Sequence, residues 1–433
     1  VRELPLAHAQ EALWFLHRLA PDSAAHNTGV AVRVLSTVDE QTLADAVIGL
    51  AARHELLRST FRDGIRVLGE ESRVALVIRD LPGADEDKLA TEVRNALTEP
   101  LRLDQGAFRV VLLRRSPGDA VLLIVAHHIV TDATSAYLLL RDLLHLLTGT
   151  PLPAPRGDYA GHVQRERDLI DGPRGAELAA HWQDVCRGSA AAELLTDRPR
   201  AERPAFTGST CRVVVPPEVT TRIRELARES GVTPFAVLLG SFQGLLFRTT
   251  RRRDFLLGCP TTTRSGNRDR DVVGNFVNTL LFRARFTAET TFREAALAVA
   301  GQVRAGVGAA GYPFSLLAAR VGAGGALCRI TFNLLATAHL DPALRPLLDS
   351  TRAEDSTEFG GLELRPYPLP QQEGQLDLTV DVMQHRDSFV ADFRYDAELF
   401  DHETINRLAG HYLSALTAAV AAPDGPVAKA RLW

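Results

Sequence analysis

Val121-Leu122-Leu123-Ile124-Val125-Ala126-His127-His128-Ile129-Val130-Thr131-Asp132-Ala133 is an apolar run that ends in two histidines and, four residues on, an aspartate. Six uncharged residues rich in Val, Ile and Leu read as a strand buried on both faces. A leucine-rich helix over 135–147 follows, stopped by Gly149 and Pro151. The histidines therefore sit where a buried strand leaves its sheet, and the period of two sends them to opposite faces. Burial beside aliphatic side chains disfavours imidazolium, so such a histidine is neutral and can accept a proton or hydrogen bond from an attacking amine or hydroxyl. Asp132 can cap the next helix or hold an arginine, which would fix the loop carrying the histidines. On spacing alone a structural reading stays open, with two satisfied core histidines and a helix cap.

Working outward, Phe108–Leu113 pairs with this strand across the turn Ser116-Pro117-Gly118-Asp119 as an antiparallel hairpin. Upstream, Val30–Leu35 reads as a strand, and Asp39 caps a helix with Leu43, Ala46, Val47 and Leu50 on one face. The polar stretch 165–175, with Gly172-Pro173 inside it, is the expected boundary, dividing the chain into 1–172 and 173–433. Beyond it, Thr233 and Pro234 open a helix with Phe235, Leu238, Leu239, Phe242 and Leu246 on one face. Strands are expected at 255–259, 279–286, 327–335, 376–383 and 389–395, a capping box at Thr291 and Glu294, and a last helix over 402–420. No sequence repeat is visible, yet each half alternates strands and helices. The fold class is α+β: two lobes with mixed sheets.

Composition narrows the function. The 433 residues are 45% hydrophobic and 24% charged, which excludes a disordered chain, and a net charge of −4 offers no basic face for nucleic acid. No uncharged apolar run reaches membrane-spanning length. Cys186, Cys211, Cys259 and Cys328 are widely spaced and fit buried thiols in a reducing cytoplasm, not a disulfide framework. No metal site is read: His127 and His128 diverge and no third ligand lies at a telling distance. There is no G-x-S-x-G elbow, and Gly322, Gly324 and Gly325 lack the lysine of a phosphate loop, which leaves a flexible loop as their reading. Lys88 and Lys429 are the only lysines, a coding bias without functional content. The start at Val1 without methionine suits a piece of a longer chain.

Ordered motifs carry a family resemblance. Ala7-His8-Ala9-Gln10-Glu11-Ala12-Leu13-Trp14-Phe15-Leu16 resembles S-x-A-Q-x-R-L-W-x-L, and Arg53-His54-Glu55-Leu56-Leu57-Arg58-Ser59-Thr60-Phe61 resembles R-H-E-x-L-R-T-x-F. The histidine segment resembles H-H-x-x-x-D-G, and Val273-Gly274-Asn275-Phe276-Val277-Asn278-Thr279 resembles I-G-x-F-V-N-T. Leu399-Phe400-Asp401 and Arg407-Leu408-Ala409-Gly410-His411-Tyr412 match the closing segment. Over nearly its whole length the chain resembles a condensation domain of nonribosomal peptide synthetases. The resemblance implies two chloramphenicol-acetyltransferase-like lobes in a V-shaped pseudo-dimer with a central tunnel. It implies amide formation between substrates held on phosphopantetheine arms of upstream and downstream carrier proteins, in a monomeric cytoplasmic domain that binds no cofactor, metal, nucleic acid or membrane itself. Adjacent synthetase domains are the other expected partners. His128 is the implied catalytic residue, which positions or deprotonates the acceptor amine or stabilises the tetrahedral intermediate. Asp132 is implied to pair with an arginine of the second lobe, for which Arg264 is in place after Pro260-Thr261-Thr262-Thr263. Thr134, Phe276 and Asn278 are the implied tunnel residues, Trp14 a core residue, and Arg53, His54, Glu55 and Arg58 structural or solvated.

Several positions depart from the pattern. Ala133 replaces the motif's glycine, harmless at negative φ and costly at positive φ. Thr134 stands at an aromatic position, Ala7 and Ala12 replace serine and arginine, and His162-Val163 follow Asp158-Tyr159-Ala160 where a tryptophan is usual. Of H-Q-D-x-P-F-E only Pro313 and Phe314 remain, after Ala309-Ala310-Gly311. These departures describe a divergent member. Alternative readings are an ester-forming or free-standing acyltransferase with a hydroxyl or diffusible amine acceptor, a non-catalytic recruitment platform, and an epimerisation domain. The heterocyclising D-x-x-x-x-D motif is absent.

Overall fold

The computed structural model describes residues 1–201, 206–321, 326–336, 341–348, 354–369, 375–385 and 387–431. Gly322, Gly324 and Gly325, read above as a loop, lie outside the described residues. The chain divides into two compact units: residues 1–171, 263–277 and 338–372 form the first, and 172–262, 278–337 and 373–433 the second.

The first unit begins with β1 (Arg2–Leu4), α1 (His8–Leu19), β2 (Asn27–Val34) and α2 (Glu40–Arg53). Next come β3 (Ser59–Arg62), β4 (Ile65–Leu68), β5 (Val74–Asp80) and α3 (Glu86–Thr98). The hairpin β6 (Phe108–Ser116) and β7 (Asp119–His127) leads into α4 (Ala133–Thr148) and α5 (Tyr159–Asp171). The second unit opens with α6 (Pro173–Cys186), β8 (Gly208–Val214), α7 (Pro217–Glu229), α8 (Pro234–Thr250) and β9 (Asp254–Thr262). It continues through β10 (Val277–Arg285), α9 (Phe292–Val307), α10 (Phe314–Val321) and β11 (Ile330–Ala336). After β12 (Thr357–Phe359) and β13 (Leu362–Pro366) of the first unit, β14 (Leu378–Gln384), β15 (Phe389–Asp396) and α11 (His402–Ala421) complete it.

Each unit holds a six-stranded mixed sheet, ordered β12-β13-β2-β7-β6-β5 in the first and β10-β9-β11-β14-β15-β8 in the second. In the first, β5 runs parallel to β6, while β7 is antiparallel to β6 and β2. The apolar strand is covered on both faces, as its composition requires. Val121, Leu123 and Val125 join a core with Leu89, Val93, Ala96 and Leu97 of α3. Leu122, Ile124 and Ala126 join the larger core formed with α2 and α4. Each fully buried Val, Leu or Ile here contributes roughly 1.5–3 kcal/mol.

Chain division at residue 172 alone misses two returns. Val272, Val273, Phe276, Leu344, Leu347 and Leu364 bury their side chains in the first unit's larger core, which attaches 263–277 and 338–372 to it. The boundary expected within 165–175 falls between Asp171 and Gly172, where α5, with Tyr159, His162 and Val163 buried, gives way to α6, which Pro173 opens because a missing N–H costs nothing in a first helical turn. In the second unit, Phe242, Phe332, Phe393 and Tyr412 join α8, β11, β15 and α11, with ring centroids 5.3 Å apart for Phe242–Phe332 and 5.6 Å for Phe242–Tyr412. Trp14, expected in the core, packs half-buried against the first one.

Candidate active site

Asp132 caps α4, its Oδ1 accepting the Ser135 N–H at 2.6 Å, and Gly149 ends the helix at φ 67°, a conformation glycine adopts without strain. Between β7 and that cap the chain turns through His127–Thr131. His127 is 2% exposed and its Nδ1 accepts the Ile129 N–H at 3.1 Å. Burial, reinforced by His26 and His17, holds its pKa well below the ordinary value, so it is neutral with its proton on Nε2. His128 takes the opposite tautomer. Its backbone N–H donates to the His26 carbonyl at 2.7 Å, and its Nδ1 lies 2.7 Å from the Thr131 carbonyl. A carbonyl only accepts, so Nδ1 carries a hydrogen, and in the neutral form of this half-buried ring Nε2 is the acceptor.

Both uses foreseen for Asp132 are realised together. Besides capping α4, Oδ1 accepts from the Arg264 guanidinium at 3.0 Å, and Oδ2 accepts the Phe276 N–H at 3.1 Å. Arg264 also donates to the Asp269 and Val272 carbonyls of its own loop, at 2.9 and 2.6 Å. Its guanidinium lies 4.1 Å from the Phe276 ring centroid. The expectation of an arginine from the other lobe is corrected here, since Arg264 sits in segment 263–277, which belongs to the first unit. Gly274 has a steric reason: an added Cβ would lie 2.1 Å from the Tyr159 ring, and the Tyr159 hydroxyl donates to the Asn275 carbonyl at 2.8 Å. His162, in the usual place of a tryptophan, packs its ring 4.5 Å from that of Phe276, and burial lowers its pKa.

Other expected site residues fall differently. Phe276 is 1% exposed and backs Arg264, so in this unit it is an internal support and not a wall. Asn278, in the second unit, donates to the Ala310 and Tyr312 carbonyls at 2.8 and 2.7 Å and accepts the Phe314 N–H at 2.8 Å, holding the loop left by the eroded H-Q-D-x-P-F-E motif. Thr134 is half-buried and Ala133 exposed. Ala133 begins α4 and is not among the residues at positive φ, so its methyl is harmless.

Arg53 and His54 are not solvated. Both bond Asp142 Oδ2, at 2.6 and 2.9 Å, and Arg141 bridges Asp142 and Asp271. Burial works against the Asp142 carboxylate, but His54 and Arg141 outweigh it and hold its pKa at about 2. A cavity of about 180 Å³ lies beside this network, lined by Arg53, Glu55, Arg58, Asp158 and Tyr159 among others.

Sequence reading missed four contributors, Asp142 among them. His17 and His26 pack their rings 5.7 and 6.0 Å from that of His127, and Ser135 is buried beneath the Asp132–Arg264 pair. A serine three residues after a capping aspartate, and an acid inside a leucine run at Asp142, were the available signals. Among the described residues, no group of three or more His, Cys, Asp or Glu side chains is arranged to hold a metal. Cys186, Cys211 and Cys259 are buried free thiols and Cys328 is partly buried. Burial pushes Cys328 up to about 12 and Cys259 well above the ordinary value, so neither is a thiolate nucleophile. No single helix among the described residues is long and apolar enough to cross a membrane.

Comparison with known proteins places these features. A family model described as Condensation domain matches residues 1–433. The chain is 32% identical over 447 residues to a linear gramicidin synthase of Brevibacillus parabrevis, covering 97% of this chain and 8% of that protein. It is 31% identical over 449 residues to the phosphinothricin tripeptide synthetase PhsC of Streptomyces viridochromogenes, covering 98% of this chain and 39% of that protein. The chain thus spans well under half of these relatives. A holo four-domain nonribosomal peptide synthetase bound to AMP and glycine superimposes with a TM-score of 0.91 at 21% identity, over 100% of this chain and 34% of that one, a likeness of fold. SgcC5 from Streptomyces globisporus, in complex with a naphthyl ethanediol and sucrose, has a TM-score of 0.78 at 26% identity, over 98% of this chain and 100% of that one.

Proposed function

The chain belongs to the condensation-domain family, and on that premise we propose that it joins a thioester-bound acyl or peptidyl donor to an amine acceptor, forming an amide. The observation that carries this reading is the hydrogen bond of His128, whose Nδ1–H is held by the Thr131 carbonyl, which makes Nε2 the accepting nitrogen of the neutral ring. The acceptor amine attacks the thioester carbonyl. A C–N bond forms and the C–S bond breaks. Nε2 takes the proton the nitrogen loses and returns it to the departing thiolate. His127 is neutral, buried and committed to the Ile129 N–H, so it has no part in the transfer. Asp132 and Arg264 act behind His128 by fixing its loop.

Donor and acceptor are assigned to upstream and downstream carrier proteins, each delivering its substrate on a phosphopantetheine arm through a tunnel in which Thr134 lies on the acceptor side. The domain itself binds no cofactor in this reading, and neighbouring synthetase domains are its other partners. The relatives are peptide synthetases, which supports an amide over an ester, a diffusible acceptor or a recruitment platform.

The test is a mass-spectrometric condensation assay with donor carriers bearing an acyl panel and amine or hydroxyl acceptors. Wild type is expected to give amide, with His128→Ala lowering turnover about 10²–10⁴-fold. Equal product from both proteins removes His128 from the reaction, and ester formed in preference to amide overturns the acceptor assignment.

A further inference from the structure

We infer that Ser135 is a positioning residue for the transfer reaction, a deeper step that rests on the assignment of His128 above. Its side chain is 0% exposed and uses its full hydrogen-bonding capacity. The hydroxyl donates to the Gly274 carbonyl at 2.7 Å and accepts from the Gly274 N–H at 2.9 Å and from Arg264 at 2.7 Å. One donor and two lone pairs are all a serine hydroxyl has, so Ser135 has nothing left for substrate. Its own N–H meets Asp132 Oδ1, the atom that also meets Arg264.

These bonds close a ring through Ser135, Asp132 and Arg264, and stitch segment 263–277 to the first turn of α4. The ring controls the peptide that matters. Thr131 immediately precedes Asp132, and its carbonyl holds His128 Nδ1 and so aims Nε2. Removing the hydroxyl strips partners from two Gly274 groups and one Arg264 N–H in a buried place, where unmet polar groups are costly enough to make the loop move. The same aspartate then no longer fixes the Thr131 carbonyl, and His128 loses the bond that sets its tautomer although Ser135 makes no hydrogen bond to His128 itself.

Ser135→Ala, Arg264→Ala, the double variant and His128→Ala are assayed with loaded carriers, with Thr404→Ala, on α11, as control. Ser135→Ala is expected to lower kcat about 10–100-fold while KM for either carrier moves less than about 2-fold. Its loss and that of Arg264→Ala are expected not to add, because both break one ring. With histidine labelled by ¹⁵N, the His128 signal, assigned by its absence in His128→Ala, is expected to leave the Nδ1–H form in Ser135→Ala. Should the alanine variant not fold, Ser135→Cys, close in size with a weaker donor, is read by the same measurements. Unchanged kcat, or a fall that tracks the folded fraction while the His128 signal stays put, overturns the inference. Full activity in His128→Ala overturns it together with the assignment beneath it. Loss of activity in His128→Ala with wild-type kcat in Ser135→Ala overturns this step alone.

Discussion

The two units repeat one another at the turn that matters, in strand order and in two backbone hydrogen bonds, and differ in chemistry. In the first, β7 ends at His127 and Asp132 caps α4; in the second, β15 ends at Asp396 and Asp401 stands at the N-terminus of α11. The order β5-β6-β7-β2 matches β11-β14-β15-β8, with one parallel and two antiparallel pairings each. Backbone bonds repeat as well. His128 N–H to the His26 carbonyl, 2.7 Å, corresponds to Ala397 N–H to the Thr207 carbonyl, 2.9 Å. Val130 N–H to the His127 carbonyl, 3.0 Å, corresponds to Leu399 N–H to the Asp396 carbonyl, 3.1 Å. The counterpart of His128 is thus Ala397. The strand-turn-helix supplies a place to put a side chain, and only the first unit puts a proton acceptor there.

The largest effect expected of this comparison is on activity. His128→Ala lowers kcat about 10²–10⁴-fold, whereas Ala397→Gly, a change at the matching backbone position, leaves kcat within about 2-fold in the same condensation assay. A large loss from the second substitution would mean the second turn also takes part.

Stability separates the two aspartates next. Asp132 is 4% exposed and receives three donors, so Asp132→Ala removes the ion pair with the part-buried Arg264 guanidinium together with two backbone bonds and costs about 3–5 kcal/mol. Asp401 is exposed, makes no side-chain cap, and pairs at 2.6 Å with the exposed Arg198. Its alanine variant is expected to cost at most about 1 kcal/mol. Urea midpoints of the two variants test this, and equal losses would remove the distinction.

Acid sharpens the contrast further. Burial lowers the pKa of His17, His54, His127 and His162 in the first unit and brings His26 to about 4, with His128 and His17 adding to the effect on His26. A histidine whose folded pKa is depressed contributes stability that is intact above 6.5 and lost as pH falls toward the folded value. For His26 the loss runs from pH 6.5 to about 4, roughly 2 kcal/mol by pH 5. His8, raised by its hydrogen bond to Glu166, changes in the opposite sense and offsets part of this. In the second unit His411 is lowered, again by burial, at a partly exposed position. Hydrogen exchange corrected for intrinsic pH effects is expected to loosen β6–β7 more than β14–β15 between pH 7 and 5. Equal loosening would refute it.

Legibility in the sequence followed the same divide between local and distant causes. The hairpin β6–β7, the caps at Asp39, Asp132, Thr233 and Thr291, and the stripe of α2 were readable because each depends on residues within a few positions. The histidine loop was readable for the same reason. What escaped is held by contacts between residues far apart in the chain. Arg264 could be matched to Asp132 by motif, but its place in the first unit depends on Val272, Val273 and Phe276 burying in that core. A structural role for Arg53 and His54 was legible, but their partner was not, because nothing nearby announces Asp142, 88 residues from His54. Ser135 is silent until Gly274, 139 residues away, is seen against it.

Ala133 gives the smallest effect and the finest test. Its position is the first of α4, exposed and at negative φ, so the glycine usual in the family is not demanded here by conformation. Ala133→Gly adds freedom to the unfolded chain and removes no contact in the buried ring of Asp132, Ser135 and Arg264. The expected cost is about 0.5–1 kcal/mol, read as a small drop in Tm, with kcat unchanged. The matching helix start in the second unit offers no comparable tolerance test, because Glu403 in the first turn of α11 favours the helix through its charge at the N-terminus. A rise in kcat for Ala133→Gly would mean that the methyl meets a substrate, and that this departure from the family pattern tunes the reaction and not the helix.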